Sequence, residues 1–337
     1  MNLYKLRQIL HYNTPSNILM KGLRKIYSHI YGDNLNFLPC EMNAQKASDI
    51  IYKELASDKP SMIARFGSVE IQFAVNYIGV KKTKHNVIEY IKGHIPQYWY
   101  NRLGIYQLQN NAGFFPLKTD ALEKYGEMII HDAKYIDVLG SWRIEENYLV
   151  DINNIKTVQL FLLEPFHCSK PWTRILEGKR VLVVHPFADT ILSQYKKRKS
   201  LFVNQYVLPE FDLEVVKAVQ SIGGDCQFDS WFDALDYMKN EIDKHNFDYC
   251  LIGCGAYGIH LAAHVKRNGG KAIHLGGVLQ MLFGIKGNRW LVPGQGKQAI
   301  PYFKDDEYIS LMNDSWTFPS VSEKPSNAVN VEGGCYW

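Results

Sequence analysis

The sequence lacks the long apolar runs, paired cysteines and leader segment that would place it outside a reducing compartment. No run of ~18 consecutive apolar residues occurs, so we expect no membrane-spanning helix. The first residues are polar, with no apolar stretch before a cleavage site, so we expect no signal peptide. The six cysteines are scattered without C-x-x-C pairing, which favours reduced thiols over a zinc site. These features predict a cytoplasmic protein.

The sequence also lacks a strong charge bias and any internal repeat. Lys and Arg number 38 against 34 Asp and Glu, and a net charge of +4 is too small to indicate a nucleic-acid partner. It suits an anionic small ligand or a membrane surface equally well. The 337 residues are 46% hydrophobic and 13% aromatic, which is typical of a globular protein.

Residues 3–31 carry apolar side chains at helical spacing, interleaved with basic ones. The apolar members are Leu3, Leu6, Ile9, Leu10, Ile18, Leu19, Leu23, Ile26 and Ile30. Such a stripe packs on its own domain or lies on a membrane surface, as a peripheral contact at the inner face. We favour packing on the domain by about two to one.

Short apolar runs alternate with helical patterns along the rest of the chain. Strands are predicted over 61–66, 135–139, 157–163, 180–184, 226–228, 248–252 and 271–275. Helices are predicted over 44–55, 69–77, 119–131, 188–199, 212–221, 231–244 and 259–267, with a break at Gly223 and Gly224. Strands separated by helices are typical of βαβ units, so the prediction is an α/β, Rossmann-like fold with a mostly parallel sheet and helices on both faces.

The same pattern divides the chain into three parts. We predict an N-terminal helical segment over 1–42, an α/β catalytic domain over 43–290 and an irregular C-terminal tail over 291–337. A seam near 140–178 is the best candidate for a division within the α/β part.

Ligands of open parallel sheets bind outside the carboxyl ends of the strands. This rule selects the loops at 67–70, 185–187, 253–258 and 274–277. The third loop is a G-x-G-x-x-G sequence between a strand and a helix, where glycines let backbone N–H groups approach a phosphate. The acidic residue that would hold the ribose of a nicotinamide cofactor is missing after the next strand. The alternative is a turn that only lets helix and strand pack.

Several side chains near these loops could serve a diphosphate or an acceptor. Glu70 follows a buried strand beside Arg65, although a glutamate there can also simply cap a helix. The other candidate acids are Glu164, Asp189, Glu210 and Asp212. The candidate phosphate-binding groups include Arg65, His185, His274 and Arg289. Trp172, Tyr257 and Trp290 could stack on a sugar or base, or could belong to the core.

The stretch Arg65–Glu70, with the sequence RFGSVE, resembles the Arg-Phe-Gly-Asp-Gly-Glu signature of bacterial glycosyltransferases with the GT-D fold. The stretches 171–187 and 251–276 also look like that family, and the similarity spans roughly residues 45–290. Ser68 stands where the family has Asp, and Val69 where it has Gly. In the family the Asp-x-Glu part is associated with a metal and the nucleotide-sugar diphosphate. Because Ser is a poor ligand for Mg²⁺ or Mn²⁺, only Glu70 remains as a candidate metal ligand.

The resemblance implies transfer of a sugar from a nucleotide-sugar donor to a glycan or lipid-linked acceptor in bacterial surface polysaccharide biosynthesis. We predict that Glu70 and Arg65 are catalytic. The predicted nucleotide-sugar-binding residues are Gly67, Ser68, His185, Gly253, Gly255, Tyr257, Gly258, His274, Gly276, Gly277 and Arg289. Two alternatives stay open: a Rossmann-type oxidoreductase that uses NAD(P), and a non-catalytic nucleotide-sugar-binding scaffold of a polysaccharide assembly complex.

Overall fold

The computed structural model describes residues 14–221, 226–326, 328 and 333–337. Seven parallel strands form one sheet in the order β3-β2-β1-β7-β6-β4-β5. They are β1 (Ser61–Ala64), β2 (Val138–Ser141), β3 (Lys156–Gln159), β4 (Arg180–His185), β5 (Asp212–Lys217), β6 (Tyr249–Ile252) and β7 (Lys271–His274). The predicted α/β, Rossmann-like fold is confirmed.

Helices connect these strands. They are α1 (Pro15–Tyr31), α2 (Ala44–Ala56), α3 (Ser68–Tyr77), α4 (Val87–Ile91), α5 (Arg102–Asn110), α6 (Thr119–Ala133), α7 (Ala188–Tyr195), α8 (Arg198–Leu201), α9 (Trp231–Ile242), α10 (Gly258–Arg267) and α11 (Leu279–Leu282). Side-chain caps fix some of the starting points: the Asn43 side chain accepts from the Lys46 N–H at 3.0 Å, and Ser230 accepts from the Asp233 N–H at 3.2 Å. Each cap satisfies a backbone donor that has no partner within the helix.

Helices cover both faces of the sheet because neighbouring strand residues point to opposite sides. Met62 and Ala64 of β1 face one core, to which α3, α6, α9 and α10 contribute, whereas Ile63 faces a second core that includes α2 and α7. Both cores are buried, which explains why the central strands read as continuous apolar runs.

The strand order reverses direction twice, and these reversals create the crevice in which ligands of such sheets bind. The strand β1 pairs with both β2 and β7, and β4 pairs with both β5 and β6. The carboxyl ends of β1, β7, β6 and β4 therefore lie side by side. Strands from before and after residues 140–178 belong to the same sheet, because β1 pairs with β7.

Two local predictions are wrong. The segment predicted as a helix over 212–221 forms the edge strand β5, in which Leu213 and Val215 pack toward one core and Val216 toward the other. This two-residue alternation outweighed the helical spacing of the same apolar residues. The strand predicted over 226–228 is a series of bends.

The helix α1 packs against α4, but the stripe members within it are exposed, so the prediction that this stripe packs on the domain is also wrong for α1; these members are Ile18, Leu19, Leu23, Ile26 and Ile30. The part of that stripe before residue 14, and the break predicted at 223–224, lie outside the described residues. Within the part of the chain that the structure describes, no helix combines the length and apolarity needed to cross a bilayer. All six cysteines fall within that part, and they carry thiols rather than disulfides.

Candidate functional site

A cavity of about 480 Å³ opens at the carboxyl ends of β1, β4, β6 and β7. All four loops selected from the sequence contribute to its wall. Of the predicted site residues, those that line it are Arg65, Gly67, Ser68, Glu70, His185, Gly253, Gly255, Tyr257, His274, Gly276, Gly277 and Arg289. The strand-end rule therefore located one continuous site from segments far apart in the sequence.

The turn from β1 into α3 positions Glu70. Gly67 caps the helix, and Glu70 occupies its first turn, where the helix dipole favours negative charge. A Cβ atom on Gly67 would lie 1.9 Å from Oε2 of Glu70, so the carboxylate folds back over the glycine. Only glycine leaves room for this arrangement. Glu70 therefore combines a first-turn position that complements the helix dipole with a place on the cavity wall.

Arg65 extends across the cavity floor from the end of β1. Its guanidinium carbon lies 5.4 Å from the ring centroid of Trp142, and its side chain passes over Gly276. Burial lowers the pKa of Arg65, Glu70 raises it and Arg289 lowers it again. Arginine nevertheless keeps its proton in proteins, so the cavity holds two neighbouring positive charges.

Two buried histidines on the cavity wall are neutral. Burial lowers the pKa of both His185 and His274 to about 3. The Phe187 N–H donates to Nδ1 of His185 at 3.0 Å, so the ring proton of His185 resides on Nε2. His274 has the opposite tautomer, because its Nδ1 faces the Ile252 carbonyl at 3.3 Å and must donate to it. His185 can therefore donate to a ligand and His274 can accept from one.

Each of the three glycines in the G-x-G-x-x-G turn is required for a different structural reason. A Cβ on Gly253 would meet the Gly276 carbonyl oxygen at 2.7 Å. Gly255 lines the cavity with φ +58°, a backbone conformation that L side chains rarely adopt, although no atom within 4 Å would obstruct a Cβ there. A Cβ on Gly258 would lie 2.0 Å from Cε1 of His274. Gly258 does not line the cavity; it lets the ring of His274 pack on the start of α10.

Trp142 is a wall residue that sequence reasoning missed. It follows the end of β2, and its indole N–H donates to the Phe66 carbonyl at 3.1 Å. The buried carboxylate of Glu146 holds this turn, because it accepts from the Ser141 hydroxyl at 2.5 Å and from the Trp142 and Arg143 N–H groups at 3.1 Å. Applying the strand-end rule to β2 would have selected Trp142.

A second carboxylate, that of Glu164, also reaches the cavity. Its Oε2 accepts from the Tyr308 hydroxyl at 2.6 Å and lies 3.2 Å from Nε2 of His167. Nδ1 of the same imidazole lies 3.0 Å from Oε1 of Glu307. Because both ring nitrogens face carboxylates, both carry protons, and His167 is an imidazolium. Burial alone lowers the pKa of His167, but the hydrogen bonds to Glu164 and Glu307 outweigh it and raise the pKa.

The segment 333–337 closes one side of the cavity, and no local sequence pattern could have indicated this. A Cβ on Gly277 would lie 2.1 Å from Cε1 of Tyr336, so the tyrosine ring packs directly on that glycine. Nη1 of Arg289 donates to the Tyr336 hydroxyl at 3.2 Å. Trp290 and Trp337 complete this aromatic wall.

Trp172, considered for stacking on a ligand, belongs instead to the core. It is fully buried, its indole N–H donates to the Leu163 carbonyl at 2.8 Å, and it does not line the cavity. Tyr257 does line the cavity. Its ring also stacks on Trp231, and its hydroxyl lies 2.6 Å from that of Ser221.

The donor set does not fit a metal cage built by the protein alone. Among the described residues, no three His, Cys, Asp or Glu side chains are grouped closely enough to hold an ion. Ser68 offers only a hydroxyl at the position where the resembling family has a carboxylate, and Glu70 lies near the positive charge of Arg65. Mg²⁺ or Mn²⁺ binding with Glu70 stays a prediction, and we derive no step through a metal.

No family model, curated protein or solved structure matches this chain.

Proposed function

We propose that this protein is a glycosyltransferase that moves a sugar from a nucleotide-sugar donor to a glycan or lipid-linked acceptor, as its resemblance to GT-D glycosyltransferases implies. The observation that supports this most is the pair of positive charges, Arg65 and Arg289, at one cavity lined by glycine turns. A volume of about 480 Å³ lies within the range of roughly 300–1,000 Å³ typical of small-molecule sites.

A diphosphate suits this arrangement better than a neutral ligand does. Arg289 disfavours the charged form of Arg65, so an anion bound near both guanidinium groups would offset this repulsion. The N–H of Nε2 of His185 and the backbone N–H groups of the turns at 254–255 and 276–277 add neutral donors, whereas the Gly253 N–H already donates to the Val184 carbonyl at 2.9 Å. Guanidinium groups pair with phosphate oxygens through two parallel hydrogen bonds.

In the proposed reaction the bond between the anomeric carbon and the β-phosphate oxygen breaks, and its electron pair leaves with the nucleoside diphosphate. Negative charge therefore builds on the oxygen nearest the two arginines, where fixed positive charges stabilise the transition state more than the ground state. The acceptor hydroxyl oxygen forms the new bond to the anomeric carbon, and its proton passes to a carboxylate.

Glu70 is the carboxylate that we assign to this proton transfer. It lines the same cavity as the glycine turns and lies in the first turn of α3. Glu164 approaches the cavity from the β3 side, with its Oε2 occupied by Tyr308 and His167. We assign Glu164 to holding an acceptor hydroxyl. Trp142, Trp290 and Tyr336 provide aromatic surfaces for a sugar or base.

Ligand-dependent thermal stability tests the donor assignment. We expect UDP or GDP, or the corresponding sugar nucleotides, to raise the melting temperature, whereas NADH should not. Stabilisation by NADH alone would favour the oxidoreductase alternative and overturn the proposal.

A matched pair of arginine variants makes this test specific. Arg65 and Arg143 both lie 5.4 Å from the ring centroid of Trp142, but only Arg65 lines the cavity. Loss of a charge-assisted hydrogen bond costs about 2 kcal/mol, so Arg65→Met should raise the Kd of the stabilising nucleotide about 30-fold. Arg143→Met should leave that Kd within about threefold of wild type. Equal effects of the two variants would show that Arg65 does not bind the nucleotide.

A further inference from the structure

The helix α1 is attached to the domain by its polar side. Nη1 of Arg24 donates to the Ile95 carbonyl at 3.1 Å, and its guanidinium carbon lies 4.9 Å from the ring centroid of Tyr90. The ammonium group of Lys21 lies 6.0 Å from the ring centroid of Trp99. The cationic side chains that usually face water thus hold this helix to the protein.

The opposite side of α1 presents an apolar stripe to solvent, which consists of Leu19, Leu23, Ile26 and Ile30. Their spacing of four, three and four residues places them on one face of the helix. Between 41% and 64% of each side chain is exposed, and none of the 17 residues of α1 is buried. Ile18 is exposed beside the stripe, and α4, which packs against α1, exposes Val87 and Ile88.

The charged residues near the stripe indicate what kind of surface it binds. The first 32 residues contain five Lys and Arg and no Asp or Glu. Within α1, Lys25 and His29 are exposed, and the helix carries no acidic residue. An exposed aliphatic stripe on a helix with basic and no acidic side chains is complementary to the acyl boundary and anionic headgroups of a lipid bilayer. A second copy of this chain packed stripe to stripe would instead bring together two helices that carry basic residues and no acidic residue to neutralise them.

We propose that α1 is a membrane-surface helix, whose apolar stripe inserts at the headgroup boundary of a bilayer that contains anionic lipids. In this orientation the polar side of α1 keeps its contacts with Tyr90, Ile95 and Trp99, so docking requires no rearrangement of the domain. The inference rests on α1 alone and does not depend on the proposed transferase activity.

Vesicle binding by the full chain tests this assignment. We expect co-sedimentation with vesicles of phosphatidylcholine and phosphatidylglycerol, weaker binding to phosphatidylcholine alone, and a decrease as salt screens the basic groups. Replacing Leu19, Leu23, Ile26 and Ile30 by Gln should reduce binding at least about tenfold, since the apolar contribution to insertion is lost. These side chains are exposed, so circular dichroism should show an unchanged fold.

The matched control replaces Val203 and Val321 by Gln, because both valines are even more exposed but lie outside α1. This control should bind vesicles as the wild type does. A second readout places a fluorophore on the stripe: Ile26→Trp should be quenched by bromine-labelled acyl chains. Failure to bind anionic vesicles, binding unaffected by the four substitutions, or a dimer that dissociates in the four-residue variant would each overturn the proposal.

Discussion

The buried imidazolium of His167 allows a quantitative test of how the cavity wall is held together. Its side chain is 2% exposed, and its carboxylate partners Glu164 and Glu307 are 7% and 23% exposed. Replacing one member of a buried ion pair costs about 3–5 kcal/mol, because the other charge is left buried without compensation. For His167→Gln we expect about 3 kcal/mol, at the lower end of that range, because Tyr308 still donates to Glu164.

The pKa shifts of His167 and Glu307 determine at which pH the contribution of His167 to stability is present. The pKa of His167 is raised above the ordinary value of 6.5, so its contribution to stability is fully present below pH 6.5 and is lost as pH rises through the raised pKa. The hydrogen bond from His167 lowers the pKa of Glu307 below the ordinary 4.5, so that contribution is present above pH 4.5 and is lost at lower pH. The full effect is therefore expected between pH 4.5 and pH 6.5.

Urea unfolding followed by circular dichroism measures the free energy of unfolding of wild type and variant. At pH 6 the difference should be about 3 kcal/mol, and it should shrink toward about 1 kcal/mol, the value of a neutral hydrogen bond, as pH rises through the raised pKa of His167. The control is His94→Gln, since His94 and Glu89 form a pair at 2.8 Å that is 47% and 41% exposed. Its cost should stay below about 1 kcal/mol. A cost of His167→Gln of only about 1 kcal/mol already at pH 6, with no decrease as pH rises, would refute the assignment of an imidazolium.

Two further predictions concern the cavity. Glu70→Gln should abolish sugar transfer and donor hydrolysis while it preserves the melting temperature, because it removes the charge and keeps the shape. Asp189→Asn, which also lies in the first turn of a helix (α7) but outside the cavity, should remain active. Wild-type turnover in Glu70→Gln would show that Glu70 is not part of the site. Gly255→Val and Gly178→Val should each lower stability by about 1–2 kcal/mol, because both glycines have positive φ (+58° and +68°) and open space around them. Only Gly255→Val should weaken nucleotide binding measured by calorimetry, since Gly178 lies outside the cavity. Equal nucleotide affinities of the two variants would mean that the turn at 253–258 serves only packing.

The sequence was sufficient for the fold class and for the location of the cavity. Four of the predicted strands overlap the observed β1, β4, β6 and β7 closely, and two more overlap β2 and β3 in part, because buried parallel strands produce short apolar runs that local patterns detect. Parallel strands end at the same edge of a sheet, so the loops after β1, β4, β6 and β7 had to converge once that class was right. The edge strand β5 was misread because a half-exposed strand has weaker patterning than a buried one.

Only the tertiary structure decided which partners complete the cavity and which way α1 faces. Glu164 and Tyr308 are 144 residues apart, and His167 and Glu307 are 140 apart, so no local pattern relates them. The packing of Tyr336 on Gly277 and the polar attachment of α1 are likewise contacts between distant segments. The local sequence pattern of a helix or strand predicts which of its side chains are buried. Which residue each of those side chains contacts depends on how the helices and strands pack together.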